Sequence, residues 1–216
     1  MASGLSGGIL ANILEEIGAK TFTTIDYDNT FFGDTSKENG FLLSEIYSGS
    51  EVTVEKHPFT TSLDLSKLGK KFQMAFIDAN HQHPWPALDT LCLYPFLEGE
   101  KIIIHHDLKL FKEQDVVYGI GPKYLYDQFA DEYRIDSDAN RGNIYALHLK
   151  NTDPEYIAKI SINALSLPWS LRHPLSDENI QTIESILREH YNSTLADTFT
   201  HCTTKFNHLE RLRTGV

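Results

Sequence analysis

Hydrophobic and polar positions follow two alternating periods over the first half of the chain. Residues 7–17 place apolar side chains at helical spacing, and Gly18 follows as a stop signal. Residues 21–28 are β-branched and aromatic, which predicts a strand that ends near Asp26. Further helices are predicted over 37–47 (Ser36 as candidate N-cap), 59–68 (Pro58 in its first turn) and 85–97, and further strands over 51–57, 71–78 and 100–107. This alternation is typical of an α/β domain with a mostly parallel sheet.

The pattern changes after residue 107. Residues 121–133 predict a helix that begins at Gly121. Residues 133–138 and 143–150 read as two strands on either side of a polar turn at 139–142. The sheet is therefore expected to finish with an antiparallel hairpin.

Helical spacing dominates the rest of the sequence. Helices are predicted over 154–165 and 176–213, the second with a capping signal at Ser176. We predict a Rossmann-like α/β domain over 1–150, with a mostly parallel sheet and the antiparallel hairpin, and a helical C-terminal extension over 151–216.

Composition and charge narrow the range of partners. The chain has 216 residues, of which 41% are hydrophobic and 23% charged, as in an ordinary globular protein. Its net charge of -11 argues against nucleic acid, because binding a duplex requires many phosphates to be neutralised. No apolar run approaches the roughly 20 residues of a membrane span, and the start lacks a basic leader. We expect a cytoplasmic protein that acts on a small molecule, with Cys92 and Cys202 as buried or partly buried structural cysteines.

Polar residues follow four of the predicted strands. Ligands bind at the carboxyl ends of parallel strands, so residues that end separate strands are expected to converge. The candidates are Asp26, Asp28, His57, Asp78, Asn80, His81, His105, His106 and Asp107. Since side chains alternate along a strand, one of His105 and His106 must point away from the others.

A glycine-rich segment precedes the first predicted helix. Residues 3–8 read Ser-Gly-Leu-Ser-Gly-Gly, and such a turn lets a ligand approach the backbone amides at a helix start. Asp26 lies about 20 residues downstream at a strand end, a position suited to hydrogen bonds with ribose hydroxyls.

Together these segments resemble the class I S-adenosylmethionine-dependent methyltransferases. The resemblance covers roughly residues 2–150, and its specific part is 72–107. There, F-I-D-A-N-H and I-I-I-H-H-D-L look like the group whose fourth strand reads F-I-D-G-x-H-x-Y and whose fifth reads I-x-x-H-D. The catechol and caffeoyl-CoA O-methyltransferases are more distant relatives. The family's first strand should precede Ser3, and its absence is expected to leave two neighbouring strands unpaired.

The resemblance implies a cofactor site for S-adenosylmethionine. Gly4 and Ser6 would lie beside its methionine part, Asp26 would hold the ribose, and Tyr27 would lie close to the adenine. Asp78 would sit beside the transferred methyl group.

It also implies a catalytic site, for which two chemistries remain open. In metal-dependent relatives, the acids that match Asp78 and Asp107 bind a divalent cation such as Mg²⁺. Leu108 stands where the catechol enzymes have an oxygen ligand, and His106 would replace it with a preference for softer metals. Without a metal, His81 or His106 would act as general base.

The leading hypothesis is methyl transfer to an oxygen of a small hydroxylated metabolite or sugar. One alternative is a truncated or non-catalytic methyltransferase-like module that binds or assembles with partners. A homodimer through the C-terminal helices is a further expectation, and the stripe Tyr191, Leu195, Phe199 and Cys202 is interpreted as core or dimer face. A dehydrogenase is a weaker alternative, because the sequence has no G-x-G-x-x-G.

Overall fold

The computed structural model describes residues 3–113, 116–137 and 142–214. The chain divides into two compact units, Met1–Lys67 and Leu68–Val216. This division lies inside the region predicted as one α/β domain, and the predicted boundary at residue 150 stays a prediction. Most of the polar turn predicted at 139–142 lies outside the described residues.

The first unit contains two small sheets and two α-helices, and a 3₁₀-helix follows at its end. Its elements are α1 (Leu5–Glu16), β1 (Thr21–Asp26), β2 (Thr30–Phe31), β3 (Asp34–Glu38), α2 (Leu43–Ile46), β4 (Thr53–Pro58) and a 3₁₀-helix at Ser62–Leu68. Strand β1 pairs in parallel with β4, and β2 forms an antiparallel hairpin with β3. The core of this unit is built on Ala11, Tyr47 and Val52. The helix α1 and strands β1 and β4 thus confirm the predicted pattern.

The helix predicted over 37–47 is wrong in its first part. Ser36 lies in β3 and caps no helix, because its amide and hydroxyl donate to Asp34 Oδ1 at 3.0 and 2.6 Å. Gly33 adopts φ 81°, which permits the tight turn between β2 and β3. Only the end of the predicted segment is helical, as α2.

The helix predicted over 59–68 is shorter and of another type. Pro58 is the last residue of β4, and helical structure begins only at Ser62. Phe59 between them has φ 54°, so the chain turns sharply before the helix starts.

The second unit has a four-stranded sheet and most of the helices. Its elements are β5 (Phe72–Ile77), α3 (Trp85–Leu93), a 3₁₀-turn (Tyr94–Phe96), β6 (Leu97–His105), α4 (Leu110–Glu113), α5 (Val116–Gly119), α6 (Gly121–Tyr126), a 3₁₀-turn (Asp131–Tyr133), β7 (Arg134–Asp136), β8 (Tyr145–His148), α7 (Pro154–Leu165), α8 (Asp177–His190) and α9 (Ser193–Thr214). The strand order is β5-β6-β8-β7. Strands β5 and β6 run parallel, whereas β8 is antiparallel to both β6 and β7.

These elements confirm the α/β class with its antiparallel C-terminal hairpin and helical extension. Parallel pairing is limited to β1–β4 and β5–β6 in the described sheets, so the prediction of a mostly parallel sheet is too strong. Within the described residues, β1 pairs only with β4 and β5 only with β6. Both are edge strands of their described sheets, as every open sheet has, and the two unpaired neighbours expected from the sequence stay a prediction.

The C-terminal helices belong to the core of the second unit. The helix predicted over 176–213 is interrupted after His190, and Asn192 Oδ1 accepts a hydrogen bond from the Leu195 amide at 2.9 Å to start α9. Leu195 and Phe199 are fully buried. These two members of the predicted stripe therefore pack inside the unit. The described part of the chain contains no helix with both the length and the apolar character to cross a membrane.

Candidate active site

Strands β5 and β6 end side by side because they pair in parallel register. Ile77 of β5 lies opposite His105 of β6, so the following residues, Asp78 and His106, leave the sheet at the same edge. The His106 amide donates to the Ile77 carbonyl at 3.0 Å, which extends the pairing by one residue. Side chains from two separate segments are thus brought to one place.

Four side chains meet at this edge, and we call them the strand-end cluster: Asp78, His81, His106 and Asp107. Each offers one ligand atom, and these atoms all lie within 4.8 Å of one another. Asp107 lies between the imidazoles, with Oδ2 3.1 Å from His81 Nε2 and Oδ1 3.0 Å from His106 Nδ1. Asp78 Oδ1 is 3.7 Å from His81 Nε2 and 3.9 Å from His106 Nδ1. Asp107 is therefore the carboxylate closest to both rings, while Asp78 stands slightly apart.

The imidazole nitrogens of the cluster are shielded but not hydrogen-bonded. His81 Nε2 and His106 Nδ1 are inaccessible to solvent and have no hydrogen-bond partner among the described residues. Asp107 lies close to both nitrogens, but the angles do not allow a hydrogen bond. The ligand atoms of the four side chains nevertheless lie within 4.8 Å of one another. Buried polar atoms without partners are unfavourable, so the cluster is suited to a proton donor or a cation placed among them.

Asp107 is held by Asn143 of the segment that leads into β8. The Asp107 backbone has φ 64°, a conformation that costs free energy in a residue other than glycine. Asn143 Nδ2 donates to Asp107 Oδ1 at 2.7 Å, and the Asn143 carbonyl accepts from the Leu108 amide at 3.0 Å. The Lys109 amide donates to Asn143 Oδ1 at 2.5 Å. These hydrogen bonds fix the strained residue and aim its carboxylate.

Asn143 is not among the site residues predicted from the sequence. The signal that identifies it is the register of the antiparallel pair, in which His105 lies opposite Tyr145. Counting two residues onward from His105 and two back from Tyr145 brings Asp107 opposite Asn143. That register cannot be read from residue type alone.

His81 is positioned through its backbone by the start of α6. The Gly121 amide donates to the His81 carbonyl at 3.0 Å. A Cβ on Gly121 would lie 2.5 Å from that carbonyl oxygen and 2.9 Å from Pro86 Cδ. Only glycine allows this approach, so α6 fixes the loop that carries His81.

Two further histidines face the core. His105 is 1% exposed, with Nε2 3.1 Å from Thr90 Oγ1 and its ring stacked on Tyr145. Burial lowers the pKa of His105 to about 3, and the nearby charge of His81 acts in the same direction. His83 is fully buried, and burial lowers its pKa to about 4. Both rings are neutral at pH 7 and serve packing, and His105 is the member of the His105–His106 pair that points away from the cluster.

Gly4, Ser6, Asp26 and Tyr27, the cofactor residues implied by the resemblance, all belong to the first unit. Gly4 is the N-cap of α1, with φ 90°, and a Cβ there would lie 2.7 Å from Gly40 Cα. Backbone packing alone therefore requires glycine at this position. Ser6 lies in the first turn of α1 and is exposed.

Asp26 and Tyr27 follow one another at the end of β1. Asp26 Oδ1 accepts a hydrogen bond from the Asp28 amide at 3.1 Å, and Tyr27 is 83% exposed. Asp28 has a different environment, because hydrogen bonds from Thr30 hold the pKa of its carboxyl below the usual value. Asp28 therefore fixes the turn into β2, and Asp26 and Tyr27 stand at the strand end.

The chain matches a known protein family over its first half. Residues 1–108 match a family model described as a methyltransferase domain. Because the match covers half of the 216 residues, the chain belongs to this methyltransferase family. It is a class I S-adenosylmethionine-dependent methyltransferase, an enzyme that transfers methyl groups. The matched segment includes the whole strand-end cluster. A search of curated proteins found no match to the chain.

Proposed function

We propose that the protein transfers the methyl group of S-adenosylmethionine to a hydroxyl oxygen of a small hydroxylated metabolite or sugar, and that the strand-end cluster removes the hydroxyl proton. The observation that carries this proposal is the pair of shielded imidazole nitrogens, His81 Nε2 and His106 Nδ1, which have no hydrogen-bond partner among the described residues. Family membership supports the transfer itself, and the methyltransferase family generally uses this cofactor.

The proposed step needs a base and an in-line arrangement. The hydroxyl oxygen attacks the methyl carbon as the carbon–sulfur bond breaks, and the sulfonium sulfur takes the bonding electron pair. The hydroxyl proton passes to His81 or His106, since imidazole accepts protons near neutral pH. Asp107 lies within 3.1 Å of both rings, so its negative charge stabilises whichever imidazolium forms. Positioning of donor and acceptor supplies much of the rate enhancement.

The cofactor residues in this proposal are those named by the resemblance. Asp26 binds the ribose hydroxyls, and Tyr27 covers the adenine with its largely exposed ring. Gly4 and Ser6 line the methionine part, at the start of α1. Asp78 lies beside the transferred methyl group.

The cluster also has the donor set of a divalent transition-metal site. Two imidazoles and two carboxylates offer ligand atoms within 4.8 Å of one another, and the unpartnered nitrogens fit such an ion. Magnesium prefers oxygen ligands, whereas imidazole favours zinc, iron, copper or nickel. We therefore propose that any cation held by Asp78, His81, His106 and Asp107 is of this second kind. When bound, it would act as a Lewis acid that lowers the pKa of the acceptor hydroxyl.

Location and partners are also proposals. Neither Cys92 nor Cys202 forms a disulfide, which suits the reducing cytoplasm that we propose. The charge of -11 supports a small-molecule partner and argues against nucleic acid. A homodimer through the C-terminal helices would have to use surfaces other than the buried Leu195 and Phe199.

The proposal is tested with cofactor labelled in its methyl group and a deproteinised, nucleic-acid-free cell extract. We expect label in the small-molecule fraction, in base-stable ethers. His81→Ala with His106→Ala should reduce the transfer at least a hundredfold, the typical contribution of a general base. His201→Ala, on the exposed face of α9, is the control and should leave the rate unchanged. Absence of label, or label on nitrogen or carbon, would refute oxygen transfer.

A further inference from the structure

An open cleft of about 490 Å³ adjoins the strand-end cluster, and His81 forms part of its wall. The other lining residues are Asn80, Gln82, Leu110, Tyr118 and Arg172. The lining is mostly polar and includes one cationic side chain, Arg172. The cleft is therefore suited to a polar ligand that contacts His81.

Arg172 is placed in the cleft by hydrogen bonds between two loops. The Ser170 amide donates to the His83 carbonyl at 2.9 Å, and the His83 amide donates to Ser170 Oγ at 2.9 Å. The Arg172 amide donates to Gln82 Oε1 at 3.3 Å. The segment between α7 and α8 is thus fixed to the loop after β5, which carries His81.

The exposed Arg172 side chain contacts the aromatic ring and hydroxyl of Tyr118. Its guanidinium lies 4.7 Å from the centre of the Tyr118 ring, and Nε donates to the Tyr118 hydroxyl at 2.9 Å. Across the part of the chain that the structure describes, no carboxylate pairs with it. Arg188 is different, because Glu184 and Asp197 both pair with its guanidinium. The chain has 30 acidic residues and 19 basic ones, yet Arg172 has no acidic partner among the described residues. Some of the five N–H donors of its guanidinium are therefore available to a ligand in the cleft.

Two other groups in the cleft can assist an anion. Gln82 Nε2 has no hydrogen-bond partner among the described residues. The Tyr118 hydroxyl accepts from Arg172, and its own O–H is a donor. A planar guanidinium with neighbouring donors matches the oxygens of a carboxylate or phosphate.

We propose that the methyl acceptor carries an anionic group, a carboxylate or a phosphate, and that Arg172 binds it in the cleft while the acceptor hydroxyl faces the strand-end cluster. This inference rests on the proposed function, since it names the acceptor of that same site. Arg172 lies beyond residues 1–108, so the selecting residue belongs to the part of the chain outside the family match. A carboxylate and a phosphate both offer negatively charged oxygens to a guanidinium, and binding measurements with one probe of each kind distinguish them.

The test measures binding by calorimetry with matched probes. One series is glucose, glucuronate and a glucose phosphate ester, and the other is para-hydroxybenzyl alcohol and para-hydroxybenzoate. We expect at least one anion to bind ten times more tightly than its neutral counterpart. Arg172→Gln should remove that preference, and Arg172→Lys should keep part of it. Arg188→Gln, an arginine already paired with acids, is the matched control and should leave the preference intact.

The outcomes distinguish this inference from the proposed function. Tighter binding of glucuronate or para-hydroxybenzoate identifies a carboxylate, and tighter binding of the phosphate ester identifies a phosphate. If no anion is preferred, or if Arg172→Gln keeps the preference, the inference is overturned. Binding of S-adenosylmethionine is measured in parallel and should be the same in wild type and Arg172→Gln. If the wild-type protein does not bind S-adenosylmethionine, the proposed function is refuted, but a measured preference for the anionic probes remains valid.

Discussion

Lowering the pH should destabilise the second unit through two buried histidines, His83 and His105. Burial lowers the pKa of His83 to about 4 and that of His105 to about 3, from 6.5 in an unfolded chain. Below pH 6.5 the unfolded chain therefore binds protons that the folded chain does not. The free energy of unfolding must then fall as the pH falls from 6.5 towards 4 and 3.

The size of this effect follows from the two pKa values. Between pH 7 and pH 5, a histidine whose pKa falls from 6.5 to 4 or lower on folding loses about 2 kcal/mol of stabilising free energy. The two residues together give a loss of about 4 kcal/mol, which is a large part of the roughly 5–15 kcal/mol that stabilises a typical domain.

Urea unfolding followed by circular dichroism at pH 7, 6 and 5 measures this loss. His105→Gln should lose only about half as much as wild type, because one of the two groups is gone. His83→Gln should do the same, and His201→Gln, whose side chain is exposed on α9, is the matched control. An equal loss in wild type and both core variants would show that His83 and His105 do not cause the pH dependence. A wild-type stability that stays constant from pH 7 to pH 5 would show the same.

Two substitutions around the cluster test how it is held. Gly121→Ala should destabilise the protein by roughly 1–3 kcal/mol, because the new Cβ would lie 2.5 Å from the His81 carbonyl oxygen, and an unchanged urea midpoint would contradict this packing. Asn143→Ala should lower Tm by roughly 3 °C or more, because it removes hydrogen bonds to Asp107 and Lys109, and an unchanged Tm would show that Asp107 does not depend on them.

Local patterns predicted the elements that depend on one segment alone. The β-branched and apolar runs that became β1, β5 and β6 were identified from their own residues, and so was the helix capped by Ser176. The sequence does not predict the hairpin of β2 and β3, because β2 has only two residues and β3 has no apolar side chain to give an alternating pattern. What decides that segment is the turn at Gly33 and the hydrogen bonds from Ser36 to Asp34.

The candidate site was predictable where chain topology determines it. Parallel register brings Asp78 and His106 together, and alternation along β6 separates His105 from His106. Asn143 and Arg172 were not predicted. Their roles depend on the register of an antiparallel pair and on loop contacts between segments about 90 residues apart, as in the bond from the Arg172 amide to Gln82.

Calorimetric titration with S-adenosylmethionine and S-adenosylhomocysteine measures directly whether the protein binds the methyl donor and its product. We expect saturable binding of both below about 1 mM. Asp26→Ala should abolish this binding because the ribose hydroxyls lose their acceptor, whereas Glu16→Ala, an exposed acid at the end of α1, should bind like wild type. Absence of heat at millimolar ligand would contradict binding of the cofactor, and an unchanged affinity in Asp26→Ala would contradict the ribose contact of Asp26.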